Sequence, residues 1–215
     1  SDSFEIKLQL RPHFSLGPGV KELRLEPKVE GQLPQLAEQK FSQTGTADTQ
    51  PLVTEVTLSA EARYYTEDGE QLGRGPLPPQ AGETTKYWIF IRLTNTVNNI
   101  QNASFRAVLP ANIEFTTRQS VTIGSPLKFN SSDRSVTWSY PELPAFSETG
   151  LYFEVAITPT VGQVGQTIQL VKNLEFSATD KMTGRTFNLS KPGIYNTLNQ
   201  NDRGAVKGAQ VVAGD

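Results

Sequence analysis

A period of two governs this sequence. In Phe4-Glu5-Ile6-Lys7-Leu8-Gln9-Leu10-Arg11 each apolar residue is followed by a charged or polar one. Such alternation marks a half-buried strand, because only extended backbone places successive side chains on opposite faces. Val56-Thr57-Leu58-Ser59-Ala60-Glu61-Ala62-Arg63-Tyr64 repeats the pattern, and Asp68-Gly69 supplies a tight turn after it. The segment from Gly73 to Gly82 holds three Gly and three Pro, which forbids both helix and interior strand. Further strands are expected at Tyr87 to Leu93, Phe105 to Leu109, Glu114 to Thr117, Val121 to Ile123, Val136 to Trp138, Tyr152 to Thr158 and Ile168 to Ala178. Each is bounded by Pro, Gly, Asn or Ser. Helical spacing occurs only in the short run from Leu33 to Phe41. The expected class is all-β, arranged as a sandwich.

The chain divides into three parts by pattern. Residues 1–52 hold the opening strand, a second strand from Val20 to Val29 interrupted at Pro27, and a polar, turn-rich stretch over 31–52 that reads as linker. Two strands cannot fold alone, since an isolated hairpin is marginal in water. They are expected to pair with the main sandwich, with a neighbouring sandwich, or with another copy of the chain. Residues 53–195 form the sandwich. Residues 196–215 read as a flexible exit or a last edge strand.

Composition removes most chemistry. The 215 residues include no Cys and a single His, His13. Disulfides, thiol nucleophiles and Cys-type zinc sites are thereby excluded, and a multi-His metal site has too few ligands. Net charge is −2, with 6 basic against 7 acidic residues in 1–52 and 14 against 15 beyond, so no basic footprint for nucleic acid exists. No apolar run approaches the roughly 18 residues of a membrane helix. Glu67, Asp68 and Glu70 cluster at Gly69 but lack the ligand spacing of a calcium loop, and read as a solvated turn. The pairs Asp133 with Glu142 and Glu148 with Glu154 are candidates for carboxylate chemistry only if folding joins them in a cleft. Asn102, Asn130 and Asn188 each open an Asn-x-Ser triplet, for which chance is sufficient explanation.

Gly82-Glu83-Thr84-Thr85-Lys86-Tyr87-Trp88-Ile89-Phe90-Ile91-Arg92-Leu93-Thr94-Asn95-Thr96 resembles the opening strand of the conserved-repeat domain of bacterial surface proteins. Leu109-Pro110 with Phe115, Val136-Thr137-Trp138 with Leu143-Pro144, and in part Asn173 to Asp180 are similar to its later motifs, in the same order. Gly73-Arg74-Gly75-Pro76-Leu77-Pro78-Pro79 resembles a variant in large exported proteins of candidate-phylum bacteria. Asn95 follows the Tyr87 to Leu93 strand, where its side chain can bond nearby backbone and close the turn. Val136 and Trp138 share a face, and Trp138 is expected to add a large apolar surface between the sheets. The resemblance covers about residues 56–190. It implies an immunoglobulin-like sandwich on an exported chain, at the cell surface or outside the cell. Related surface modules crosslink strands through Lys and Asn, so Lys86 and Asn173 form the one pair to test, although their alternation points them apart.

The expected role is therefore non-enzymatic, with no catalytic residue, cofactor or metal. It is that of a spacer or self-assembling subunit, which pairs through strand edges with copies of itself or adjacent domains. Phe4, Ile6, Leu8 and Leu10 are the candidate assembly strand. The competing expectation is a carbohydrate-binding or adhesive module that presents Tyr64, Tyr65, Tyr140 and Tyr195 on one exposed face.

Overall fold

A computed structural model describes residues 20–33 and 39–214. The chain forms two compact units, residues 1–52 and 53–215. In the first, β1 (Glu22–Leu25) pairs antiparallel with β4 (Asp48–Pro51), and β2 (Lys28–Leu33) with β3 (Gln39–Thr44). Pro27 interrupts the strand run as its missing N–H dictates. At that break the Gly45 N–H donates to the Pro27 carbonyl at 2.8 Å, and a Cβ on Gly45 would lie 2.9 Å from the proline ring. The stretch read as linker is corrected: it carries β3 and β4. Their polar sequences, Gln39-Lys40-Phe41-Ser42-Gln43-Thr44 and Asp48-Thr49-Gln50-Pro51, lack the apolar alternation that a core would impose.

The second unit is an immunoglobulin-like sandwich of two antiparallel sheets. One orders β5 (Val56–Arg63), β6 (Thr85–Asn95), β11 (Glu148–Ile157) and β8 (Ile113–Val121). The other orders β13 (Thr186–Tyr195), β12 (Gln169–Asp180), β7 (Ile100–Val108), β10 (Ser135–Leu143) and β9 (Lys128–Asn130). Among the described residues, no helix is long and apolar enough to cross a membrane.

The period of two decides which side chains meet. Tyr87, Ile89, Ile91 and Leu93 of β6 and Leu151, Phe153, Val155 and Ile157 of β11 are buried on one face. Opposite them lie Phe105 of β7, Trp138 of β10 and Phe176 of β12. Each such side chain contributes about 1.5–3 kcal/mol by leaving water. Trp138 fills the inter-sheet space as expected, and its indole N–H donates to the Ile123 carbonyl at 3.2 Å. On the other face of β6, Trp88 and Phe90 are half-buried rather than covered by a further layer. Arg118 lies over Trp88, Arg63 over Phe90, and Tyr152 meets Phe90 edge-on.

Three local readings change in the folded chain. The run at Glu114 to Thr117 lies within β8, which continues to Val121, while Thr122 and Ile123 of the expected next strand fall beyond its end. Strand β8 is bulged opposite Phe153 and Val155, with Thr117 at φ 68. Strands β9 and β13 form where none was delimited: β9 has only three residues, and β13 contains Lys191-Pro192-Gly193. The tail is no flexible exit. Val211 and Val212 form parallel bridges to Val164 and Gln80, and Val211 is buried.

Candidate functional site

For a module without an evident reaction centre, the candidate site is whatever surface can join it to a neighbour. The assembly strand expected at Phe4, Ile6, Leu8 and Leu10 lies outside the described residues. Within the sandwich, strand joining would use the edges β5, β8, β9 and β13. Three of them are blunted by their own sequence. Strand β9 is short, and the bulge in β8 turns its ladder aside. Pro192 removes a donor from β13, and a Cβ on the adjacent Gly193 would fall 2.6 Å from the Val171 carbonyl. Strand β5 is pinned just outside both its ends: Thr54 N–H donates to Asp180, and Tyr64 and Tyr65 N–H to Asp202.

Those two carboxylates belong to polar knots that close the sandwich. Asp180 is buried and accepts from Thr54 N–H (2.8 Å) and Asn98 Nδ2 (3.0 Å) on one oxygen. Its other oxygen accepts from Met182 N–H (2.8 Å) and Thr183 N–H (2.9 Å). Burial alone raises such a carboxyl, but the donors Asn98, Thr54, Thr183 and Met182 outweigh it and hold Asp180 below its ordinary value. Asp202, also buried, receives Tyr64 N–H at 2.7 Å, Tyr65 N–H at 3.0 Å and, on its second oxygen, Gly204 N–H at 2.7 Å. Asn196 fastens the same tail, accepting from Ile168 N–H at 2.8 Å and donating to the Ala209 carbonyl at 2.6 Å. A fourth knot is Asn95, placed after β6 as a turn-closing Asn. Its Nδ2 donates to the Asn98 and Pro144 carbonyls at 2.8 and 2.9 Å, while its Oδ1 accepts from Ser147.

The knots mark two poles. At the proximal pole, Val56 of β5 lies beside Asn95 of β6, and the chain arrives through Thr54. At the distal pole, Ile157 of β11 lies beside Thr85 of β6, and the tail leaves past Val212, which receives the Ala81 N–H at 2.9 Å. The eleven residues of β6 separate these poles by about 35 Å. Sequence reasoning placed Asn95 but missed Asp180, Asp202 and Asn196. Asp180 before Lys181-Met182-Thr183-Gly184 and Asp202 before Gly204 carried a turn signal, since short Asp side chains accept from nearby backbone. Their second partners, 126 and 138 residues away in sequence, left no local trace.

The candidate acid pairs do not meet. Asp133 bonds Ser135 and Arg106, Glu142 bonds Lys181 and Asn99, and these contacts lower both carboxyls from their ordinary values. A general acid needs the opposite shift. Glu148 faces Arg92 at 3.8 Å, whereas the fully buried Glu154 accepts from Thr116 at 2.8 Å and Arg118 at 3.2 Å. Glu67, of the turn at Gly69, accepts from Arg63 at 2.8 Å. Among the described residues no group of three or more His, Cys, Asp or Glu is placed to hold a metal. Lys86 lies 4.0 Å from Glu154 in the four-stranded sheet, and Asn173 donates to Glu175 in the other, so the two are not brought together. Of the four tyrosines, Tyr64 is buried with its hydroxyl on the Gly75 carbonyl, Tyr65 packs on Tyr64, Tyr140 stacks on Trp138, and Tyr195 is exposed. They do not form one exposed face. A shallow depression of about 400 Å³ on the five-stranded sheet is lined chiefly by Ser104, Arg106, Glu175, Ser177, Asn188 and Ser190.

No family model matches the chain, and no curated protein matches it. Among solved structures it is similar to the full-length major pilin SpaD from Corynebacterium diphtheriae, with 10% identity over 66% of this chain and 34% of that one, TM-score 0.45. It is also similar to BcpA, the major pilin subunit of Bacillus cereus, with 9% identity over 73% of this chain and 54% of that one, TM-score 0.40. A third similarity is to the three N-terminal domains of the type V pili tip protein Mfa5 from Porphyromonas gingivalis, with 10% identity over 49% of this chain and 23% of that one, TM-score 0.36. The match thus spans between about a quarter and about half of the length of these solved chains.

Proposed function

We propose that the chain is a non-enzymatic structural module of a bacterial cell-surface or extracellular protein, serving as spacer and self-assembling subunit. Residues 53–215 are the spacer. The supporting observation is that the sandwich receives the chain at one pole and releases it at the other, with Asp180 and Asp202 fastening it at each. Tension between those poles runs along the strands and loads many ladder hydrogen bonds together. The module needs neither cofactor nor metal for this role.

Assembly belongs to residues 1–52. There, among the described residues, β1 pairs with β4 and β2 with β3 as two-stranded sheets, and a sheet that small gains stability from further strands. Phe4, Ile6, Leu8 and Leu10 form the strand that pairs with another copy or an adjacent domain, with backbone supplying affinity and the apolar face supplying register. The test is size by light scattering during gel filtration, comparing the full chain with an Ile6→Pro, Leu8→Pro variant. The full chain should assemble, and the variant should run as a monomer with an unchanged unfolding midpoint. Equal sizes would remove Phe4 to Leu10 from the assembly role.

A further inference from the structure

Strands β5 and β13 are edges of opposite sheets, and they stand side by side along one flank of the sandwich. Two depressions lie on that flank. One, of about 390 Å³, is lined by Phe90, Arg63, Glu67, Arg92 and Asn201 among others. The second, of about 330 Å³, is lined by Tyr195 and Pro192 among others. Ala60, Glu61, Lys191 and Asn199 line both, so the two are halves of one trough. Each half carries one aromatic side chain: Phe90 is half-buried, and Tyr195 is 45% exposed.

The polar groups of the trough are set by the fold itself. Arg63, which is buried, donates through Nε to Glu61 at 2.5 Å and through Nη2 to Glu67 at 2.8 Å. Glu61 receives the Asn199 amide on its other oxygen, which ties the loop after β13 to β5. Both carboxylates therefore already serve the guanidinium. Two further cations are less committed. Arg92 comes no nearer than 3.9 Å to Glu67 and 3.8 Å to Glu148. Lys191 is exposed and, among the described residues, makes no ion pair. The lining thus holds three cations against two carboxylates, and the uncommitted lysine stands where the two halves join.

We propose that this trough binds an acidic oligosaccharide of two or three sugar rings, with a ring carboxylate on Lys191. The apolar sides of the rings lie against Phe90 and Tyr195, and the amides of Asn199 and Asn201 answer their hydroxyls. Aromatic side chains joined by a few oriented polar groups are the usual lining of a small-ligand site, and each half falls within the usual size. A peptide suits the trough less well. Strand addition to β5 draws on backbone donors, but the wall facing β5 runs through Lys191-Pro192-Gly193, where Pro192 has no N–H. The site consists of side chains on the sandwich and does not depend on strand pairing through Phe4 to Leu10.

The test is isothermal titration calorimetry on the full chain with two uronates of different linkage, trigalacturonate and trimannuronate. Maltotriose is the neutral control and triglutamate the acidic peptide control. At least one uronate should bind saturably, and at least fivefold more tightly than either control. Lys191→Ala should weaken that binding about 10-fold, as loss of a charge-assisted contact does, and Tyr195→Ala about fivefold. Lys172→Ala removes an exposed lysine of β12 outside the trough and should leave the affinity unchanged. All three side chains are exposed, so the unfolding midpoint should be kept in each variant. Absence of saturable binding by both uronates overturns the proposal. Equal binding of triglutamate overturns it in favour of a peptide groove. Equal loss in Lys172→Ala and Lys191→Ala overturns it in favour of attraction by overall charge, and an unchanged affinity in Lys191→Ala overturns it outright.

Discussion

Strands β2 and β3 of the first unit are six residues long, and among the described residues each pairs on one flank only. Strands β6 and β11 of the sandwich pair on both flanks and bury one face completely. Val29 of β2 is exposed where Ile89 of β6 is wholly buried, though both are β-branched residues in antiparallel ladders. The difference teaches that strand pairing alone closes nothing. A second sheet must cover the apolar face, and side-chain carboxylates must cap the ends, before an edge stops being an invitation to pair.

The sharpest way to break this comparison is through the core. Phe153→Ala should cost the sandwich about 4 kcal/mol, as removal of a fully buried aromatic ring does. A loss below about 1 kcal/mol in urea unfolding would mean that the two sheets are not closed on each other as described.

Next is the proximal knot. Asp180→Ala leaves the Thr54, Asn98, Met182 and Thr183 donors without their acceptor and should cost about 3 kcal/mol. The pH dependence follows from the lowered carboxyl. The folded chain holds the Asp180 proton less readily than the unfolded chain does. The stabilisation is therefore complete above the ordinary value of 3.8 and is lost as pH falls through the depressed folded value. Urea unfolding from pH 5 downward should show a shallower acid loss in Asp180→Asn than in the unaltered chain. Parallel curves would show that the knot does not depend on the charge.

The distal clasp gives a smaller effect. Asp202→Ala should cost about 2 kcal/mol and free the turn that carries Arg203 and Lys207. Trypsin should then cut there under conditions where the unaltered chain is intact, and equal cutting would show that Asp202 does not hold the tail. Smallest of all, Val29→Ala should change stability by less than about 0.5 kcal/mol. A cost near that of a buried valine would show that the first unit possesses a covered core.

Much of the sandwich was legible because the alternation at Val56 to Tyr64 and Tyr87 to Leu93 is a direct image of the pleat. The edges were less so. Strand β13 escaped because Lys191-Pro192-Gly193 reads as a breaker, and at an edge a breaker is tolerated on the side without a partner. Strands β3 and β4 escaped because a sheet with little burial imposes no apolar period on its residues. The candidate site divides in the same way. Asn95 was legible from its place after a strand, whereas the reach of Asp180 to Thr54 and of Asp202 to Tyr64 was not.

The sequence by itself determined the all-β class, the faces of the long strands and the lack of thiol chemistry, because these depend on neighbours in the chain and on residue types alone. Tertiary structure decided which carboxylates became knots. It also decided which apolar side chains of the sandwich stay exposed, Phe146 and Val161 among them. Those outcomes depend on residues more than a hundred positions apart coming within hydrogen-bonding distance, and no local pattern records such a meeting.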